Sequence, residues 1–169
     1  EFSKPSPLSL QETGIRRLIE DCLNLLGGQF SKHNIQVVKN FGAGDHTLKA
    51  DANKLKQVFL NLFLNAIDAM PDGGTLTVST RQSPSEPQAT SHEPLLITVS
   101  DTGCGIAPHD LKHIFEPFYT TKQKGTGLGL AVCKNIIEEH GGTISAESVV
   151  GQGTVFKLEF PVRRDTHAS

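Results

Sequence analysis

The stretch from Asp51 to Met70 leaves this chain the fewest folding options. Asp51 is a good helix N-cap and Pro71-Asp72-Gly73-Gly74 a strong stop, so the spacing predicts one long helix between them. Val58, Phe59, Leu60, Leu62, Phe63, Leu64 and Ile67 make most of its circumference apolar. Gln57, Asn61, Asn65 and Asp68 fall at i, i+4, i+8 and i+11, which places them on one face. A helix this apolar has to be buried against another layer, and its polar stripe should then line a cleft rather than open water. Carboxamide oxygens there would suit Mg²⁺, a hard ion that takes few protein groups and keeps phosphates and waters. The competing reading is that these side chains only satisfy internal hydrogen bonds.

The neighbouring segments say what that layer is. Ile15, Leu18, Ile19, Cys22, Leu25 and Leu26 recur at helical spacing within residues 8–30 and predict a helix stopped by Gly27-Gly28. Ile35 and Val37 open a strand ending near Gly42, with a short second one at His46 to Lys49. Thr75 to Thr80 and Leu95 to Ser100 alternate and are β-branched, as strands require, around a Ser/Pro/Gln-rich hairpin tip at 83–94. Leu111 to Phe115 is a short helix at most, Thr126 to His140 a clear one ended by Gly141-Gly142, and Thr143 to Ser148 and Thr154 to Phe160 are closing strands. Helices mixed with hairpins, without regular βαβ alternation, predict an α/β two-layer sandwich: a mixed, mostly antiparallel sheet with helices packed on one face.

One domain at 8–162 is expected, with 1–7 disordered or vector-derived and 163–169 a tail. No apolar run is long enough to span a bilayer, and no signal peptide is expected. The formal net charge of -2 argues against coating nucleic acid but leaves room for a small anionic ligand held by local donors. Cys22, Cys104 and Cys133 lack metal-ligand spacing, which predicts free thiols in a reducing cytoplasm and no zinc.

Two glycine loops sharpen the ligand. Asp101-Thr102-Gly103-Cys104-Gly105-Ile106 follows a strand, where glycine admits a flat ring close to the backbone and the carboxylate can accept from an exocyclic amine. The plainer reading is a tight turn capped by Asp101. Gly125-Thr126-Gly127-Leu128-Gly129-Leu130 opens a helix and so presents N–H groups to an anion, phosphate above all. It lacks the Lys-Ser/Thr pair of a P-loop, and a loop rather than a strand precedes it, unlike the dinucleotide fingerprint. Between the two loops, Phe115 to Lys124 gathers aromatics and then cations, as a lid over a nucleotide would need. Core phenylalanines and solvated lysines are the alternative.

In this order the elements resemble the histidine-kinase catalytic domains of the gyrase, Hsp90, histidine kinase and MutL superfamily, over about Leu8 to Val162. Gln57 to Ala66 looks like the N box, DTGCGI the first glycine box, Phe115 to Phe118 the F box, GTGLGL the second glycine box, and Gly151-Gln152-Gly153-Thr154 the small closing box. The resemblance implies a sandwich of the Bergerat type with ATP between the N-box helix and the lid. It implies that Asn65 holds Mg²⁺, that Asn61 stands near the phosphates, and that Asp101 takes the adenine amino group. Gly103, Gly105 and Ile106 would shape the base pocket, Gly127, Leu128 and Gly129 would offer N–H groups to phosphate, and Lys122 would reach the terminal phosphate. Asp68, Phe118, Gly125, Thr126, Leu130 and Thr154 complete the implied ATP-binding set, with Asn61 and Lys122 as its catalytic members. Phe-Tyr-Thr-Thr-Lys before so short a lid is similar to kinases of the nitrogen-regulation type.

The superfamily's hydrolases place a water-activating glutamate four residues before the magnesium asparagine. Here that position is Asn61, whose amide takes no proton at neutral pH. The expected activity is therefore histidine kinase, with an ATP hydrolase, a serine/threonine kinase of anti-sigma type and a silent nucleotide-binding module as rivals. His92-Glu93-Pro94 imitates a phosphoacceptor but lies in a loop, and His33, His46, His109, His113, His140 and His167 lack the context. The acceptor is expected on a separate dimerisation domain, with a response regulator receiver domain as the other partner. Neither nucleic acid nor membrane contact is expected of this chain.

Overall fold

Every second residue of the three central strands is buried, and this alternation sets the architecture. The computed structural model describes residues 7–42, 46–82, 94–120 and 129–161. In β4 (Gly74–Gln82), β5 (Leu95–Asp101) and β7 (Gly153–Phe160), the buried set Leu76, Val78, Leu95, Ile97, Val99, Phe156, Leu158 and Phe160 points to one face. With β2 (Ile35–Phe41) and β6 (Thr143–Val149) these strands form a five-stranded sheet in the order β2-β4-β5-β7-β6. Only β2 and β4 run parallel; the other pairings are antiparallel. The helices cover the apolar face, so the expected mixed sandwich is what forms.

The central helix, α3 (Ala52–Ala69), matches its expected bounds to a residue at each end. Leu55, Val58, Phe59, Leu62, Phe63, Ala66 and Ile67 are buried, and the rings of Phe59 and Phe63 stack with centroids 6.3 Å apart. Its N-cap, Asp51, accepts from Lys54 N at 3.2 Å through one oxygen and from Ser9 N at 3.0 Å through the other. The Ser9 bond, ahead of burial acting the other way, holds the Asp51 carboxyl below its ordinary range. A depressed carboxyl contributes stability above its unfolded pKa and loses it as the pH falls through the folded value. Asp51→Ala is expected to cost about 1 kcal/mol at neutral pH. Thermal melting should show a loss of a few degrees that shrinks in acid, where wild type has lost the same contribution.

Three expectations shift. Residues 11–14 are a strand rather than the start of a helix: β1 (Gln11–Gly14) pairs antiparallel with β3 (Thr47–Ala50) in a small separate sheet, and α1 (Ile15–Leu25) begins only after it. Pairing across some 36 positions of sequence overrides the local pattern, and β3 joins this sheet rather than the large one. Gly27-Gly28 does not end the helical region; it opens α2 (Gly27–Lys32), held down by buried Phe30. Finally, the short helix expected at 111–115 forms earlier, as α4 (Pro108–Leu111), because Pro108 supplies the first helical position.

The helix α5 (Gly129–Glu139) packs beside α3 and is tied to it near both ends. His140, just past its C-terminus, accepts from Asp51 N through Nε2 at 3.0 Å. Its Nδ1 donates to the Ile136 carbonyl at 2.8 Å, so both ring nitrogens are engaged in the neutral form.

Candidate functional site

The candidate site starts from the polar stripe of α3. Asn61 and Asn65 are half-buried, while Gln57 and Asp68 are exposed. The Asn61 amide nitrogen donates to the Gly129 carbonyl at 3.5 Å and contacts Cys133 Sγ at 3.7 Å, so α5 orients this side chain. The start of α5 and the middle of α3 thus meet, and Leu130 follows half-buried.

The strand β5 ends in Asp101, which is buried at 8% exposure. Its Oδ1 accepts from Gly103 N at 2.9 Å and from Thr154 N at 3.3 Å. Burial pushes the carboxyl above its ordinary range, and the two N–H groups pull it back only in part. Two backbone N–H groups therefore fix one of its carboxylate oxygens.

The following loop is pressed against two elements. At Gly103 a Cβ would lie 2.5 Å from the Ala69 carbonyl oxygen, so this glycine permits the loop to dock on the end of α3. Cys104 N donates to that same carbonyl at 3.0 Å. On the other side, Gly151 N donates to the Cys104 carbonyl at 2.8 Å, and Gly105, at φ +77°, abuts the Val149 carbonyl. The closing box is thus a buttress: its turn supports the base loop, and Thr154 at 4% exposure sends its N–H to Asp101.

Of the lid, Phe115 packs edge-on against Phe156 with centroids 6.4 Å apart, under Lys134. Tyr119 OH donates to Asp110, and between them Phe118 stands out at 76% exposure with φ +69°, a conformation uncommon for a bulky residue. Lys122, Gly125, Thr126, Gly127 and Leu128 lie outside the described residues, as do His92 and Glu93, most of the 83–94 tip and the 163–169 tail.

Sequence reasoning missed Ser148. Its hydroxyl lies within hydrogen-bonding distance of Ile106 N, the Gly153 carbonyl and Thr154 Oγ1. Pairing the closing strands across the Gly151-Gln152-Gly153 turn, so that position 148 faces 154, was the only signal for it.

Cys22 and Cys133 are buried, and burial pushes both thiols up to about 11, whereas Cys104 is exposed on the base loop. Alkylation near neutral pH is therefore expected to modify Cys104 first, and saturating ATP, on the expected nucleotide reading, to slow it several-fold relative to Cys22. A labelling time course followed by peptide mass spectrometry checks this; a rate indifferent to ATP would detach the loop from the nucleotide.

A family model described as histidine kinase-, DNA gyrase B-, and HSP90-like ATPase matches residues 50–164. The sensor histidine kinase ZraS of Salmonella typhi is 43% identical over 162 residues, which are 96% of this chain and 33% of ZraS. The chain thus spans about a third of the length of that curated relative. Among solved structures, the nucleotide-free catalytic domain of histidine kinase ThkA superposes with a TM-score of 0.78 at 33% identity, covering 92% of this chain and 97% of that one. Full-length ShkA in complex with AMPPNP gives 0.79 at 25% identity, covering 96% of this chain and 33% of ShkA.

Proposed function

Because the chain belongs to the histidine kinase-, DNA gyrase B- and HSP90-like ATPase family, as a histidine kinase catalytic domain, we propose that it binds ATP with Mg²⁺ in the cleft between α3, the base loop and the start of α5 and passes the γ-phosphoryl group to a histidine of a separate dimerisation domain. The observation that carries this reading is Asp101: a buried carboxylate at the end of β5 with one oxygen fixed by two backbone N–H groups, which leaves the other to accept from the base in this reading. Adenine offers such a donor in its amino group; guanine carries a carbonyl at that ring position.

Asn65, on the half-buried stripe, would hold Mg²⁺ through its carboxamide oxygen, and its hard oxygen fits that ion. The ion would neutralise charge on the transferred phosphoryl group. Asn61, oriented by Gly129, stands near the phosphates and supplies no general base. This favours a site that retains ATP until an acceptor arrives over one that hydrolyses it. The expected roles of Lys122 and of the Gly127, Leu128 and Gly129 N–H groups on the phosphates, and of Asp68, Phe118, Gly125, Thr126 and Leu130 around the nucleotide, belong to the same reading. So do a response regulator receiver domain as partner and a cytoplasmic setting.

The test is radiolabelled ATP with this chain alone, then with the dimerisation and acceptor domain of the parent kinase added as a separate polypeptide. Acid-labile label on the acceptor fragment only is expected, slowly because the tether's effective concentration is lost. Rapid phosphate release without acceptor would favour a hydrolase, and acid-stable label a serine/threonine kinase.

A further inference from the structure

We propose that Ser148 is a positioning residue for base recognition, setting the conformation of the loop after Asp101 and of the strand that clamps the Asp101 carboxylate. Ile106 N donates to Ser148 Oγ at 2.7 Å. Ser148 Oγ donates to the Gly153 carbonyl at 2.9 Å and lies 2.8 Å from Thr154 Oγ1. A serine hydroxyl has one proton and two lone pairs, so with its proton on Gly153 it accepts from both Ile106 N and the Thr154 hydroxyl. All of its hydrogen-bonding capacity is spent on the site's supports.

The pieces it joins are otherwise far apart in sequence. Ile106 closes the base loop 42 positions before Ser148, and Thr154 is the residue whose N–H reaches Asp101 Oδ1 at 3.3 Å. In register, Asp101 faces Thr154 and Thr154 faces Ser148, so the three form a lateral row across the end of the sheet on its helix-covered side. Ser148 touches no ligand in this scheme; it acts through Ile106 and Thr154. Without the hydroxyl, Ile106 N loses its acceptor, the loop relaxes, and the Asp101 carboxylate is no longer held where an amino group meets it.

The proposal rests on the ATP reading, and the test separates the two. Affinities for ATP and GTP are measured by displacement of a fluorescent ATP analogue from wild type, Ser148→Ala, Ser148→Thr and Thr154→Val, with thermal melting of the same samples. Ser148→Ala should weaken ATP on the order of tenfold while leaving the weaker GTP binding, which relies on phosphates and sugar, unchanged. Ser148→Thr, which keeps the hydroxyl, should restore the ATP preference. Thr154→Val removes one bond to Ser148 but keeps the N–H to Asp101, so it should lose part of the preference, which tests the row even where Ser148→Ala fails to fold. Equal losses for ATP and GTP, or an unchanged ratio in Ser148→Ala and Thr154→Val beside a wild type that binds ATP, would overturn the role of Ser148 and leave the ATP site standing. A wild type that binds neither nucleotide would overturn both.

Discussion

Asp101→Asn is expected to remove the preference for ATP over GTP, and on the order of tenfold to a hundredfold in ATP affinity, without unfolding the chain. The two backbone donors, Gly103 N and Thr154 N, both point at Oδ1, so an asparagine keeps its carbonyl oxygen there and puts its NH₂ where the other carboxylate oxygen was. That NH₂ then faces the adenine amino group donor to donor, whereas it suits the guanine carbonyl. A charge-assisted acceptor becomes a clash for one base and a partner for the other. The wild type should show the related pH effect. Burial raises the Asp101 carboxyl, so protonation begins at a higher pH than for an exposed aspartate, and ATP affinity should fall there as the acceptor is lost. In the free protein the sign is opposite: a raised carboxyl costs stability as the pH climbs from its unfolded to its folded value, so nucleotide-free protein gains stability over that interval on acidification. Titration of ATP and GTP into both proteins across mildly acidic to neutral pH checks these expectations. Equal affinities for the two nucleotides in wild type would show that Asp101 is not the base reader.

Asn65→Ala should be the most damaging change to phosphotransfer, reducing it on the order of a hundredfold or more. Its assigned part is to hold the ion that neutralises the transferred group, which matters more as charge develops than in the bound ground state. Adenosine, which carries no phosphate, should bind the variant as well as it binds wild type. The side chain is half-buried on α3 outside its buried apolar set, and thermal melting of the variant shows whether the fold is kept. Labelling of the acceptor fragment, with calorimetry of adenosine and ATP, separates the cases. If adenosine binding falls as far as phosphotransfer does, the residue supports the fold rather than the metal.

How much of this was legible beforehand follows from the range of each interaction. The cap, length and polar stripe of α3 are decided between residues three to eleven positions apart, and they stand in the structure as the sequence implied. The alternation of β4, β5 and β7 and the two glycine loops are equally local, and together they carry the sandwich class and the family resemblance. Where a distant strand competes with local pattern, the sequence misleads. Residues 11–14 leave the predicted helix because β3 offers them a ladder, and α2 forms across two glycines because Phe30 finds the core. The same limit applies to the site. Asp101, Gly103 and Thr154 could be named from motifs. That Thr154 N clamps the carboxylate from 53 positions away, that Asn61 spends its nitrogen on Gly129, and that Ser148 completes the lateral row were decided only by strand register and helix packing. Helical spacing and caps are fixed by bonds within a turn or two, whereas which residues stand side by side across a sheet depends on how remote segments align. A one-residue slip would turn Ser148 to the opposite face.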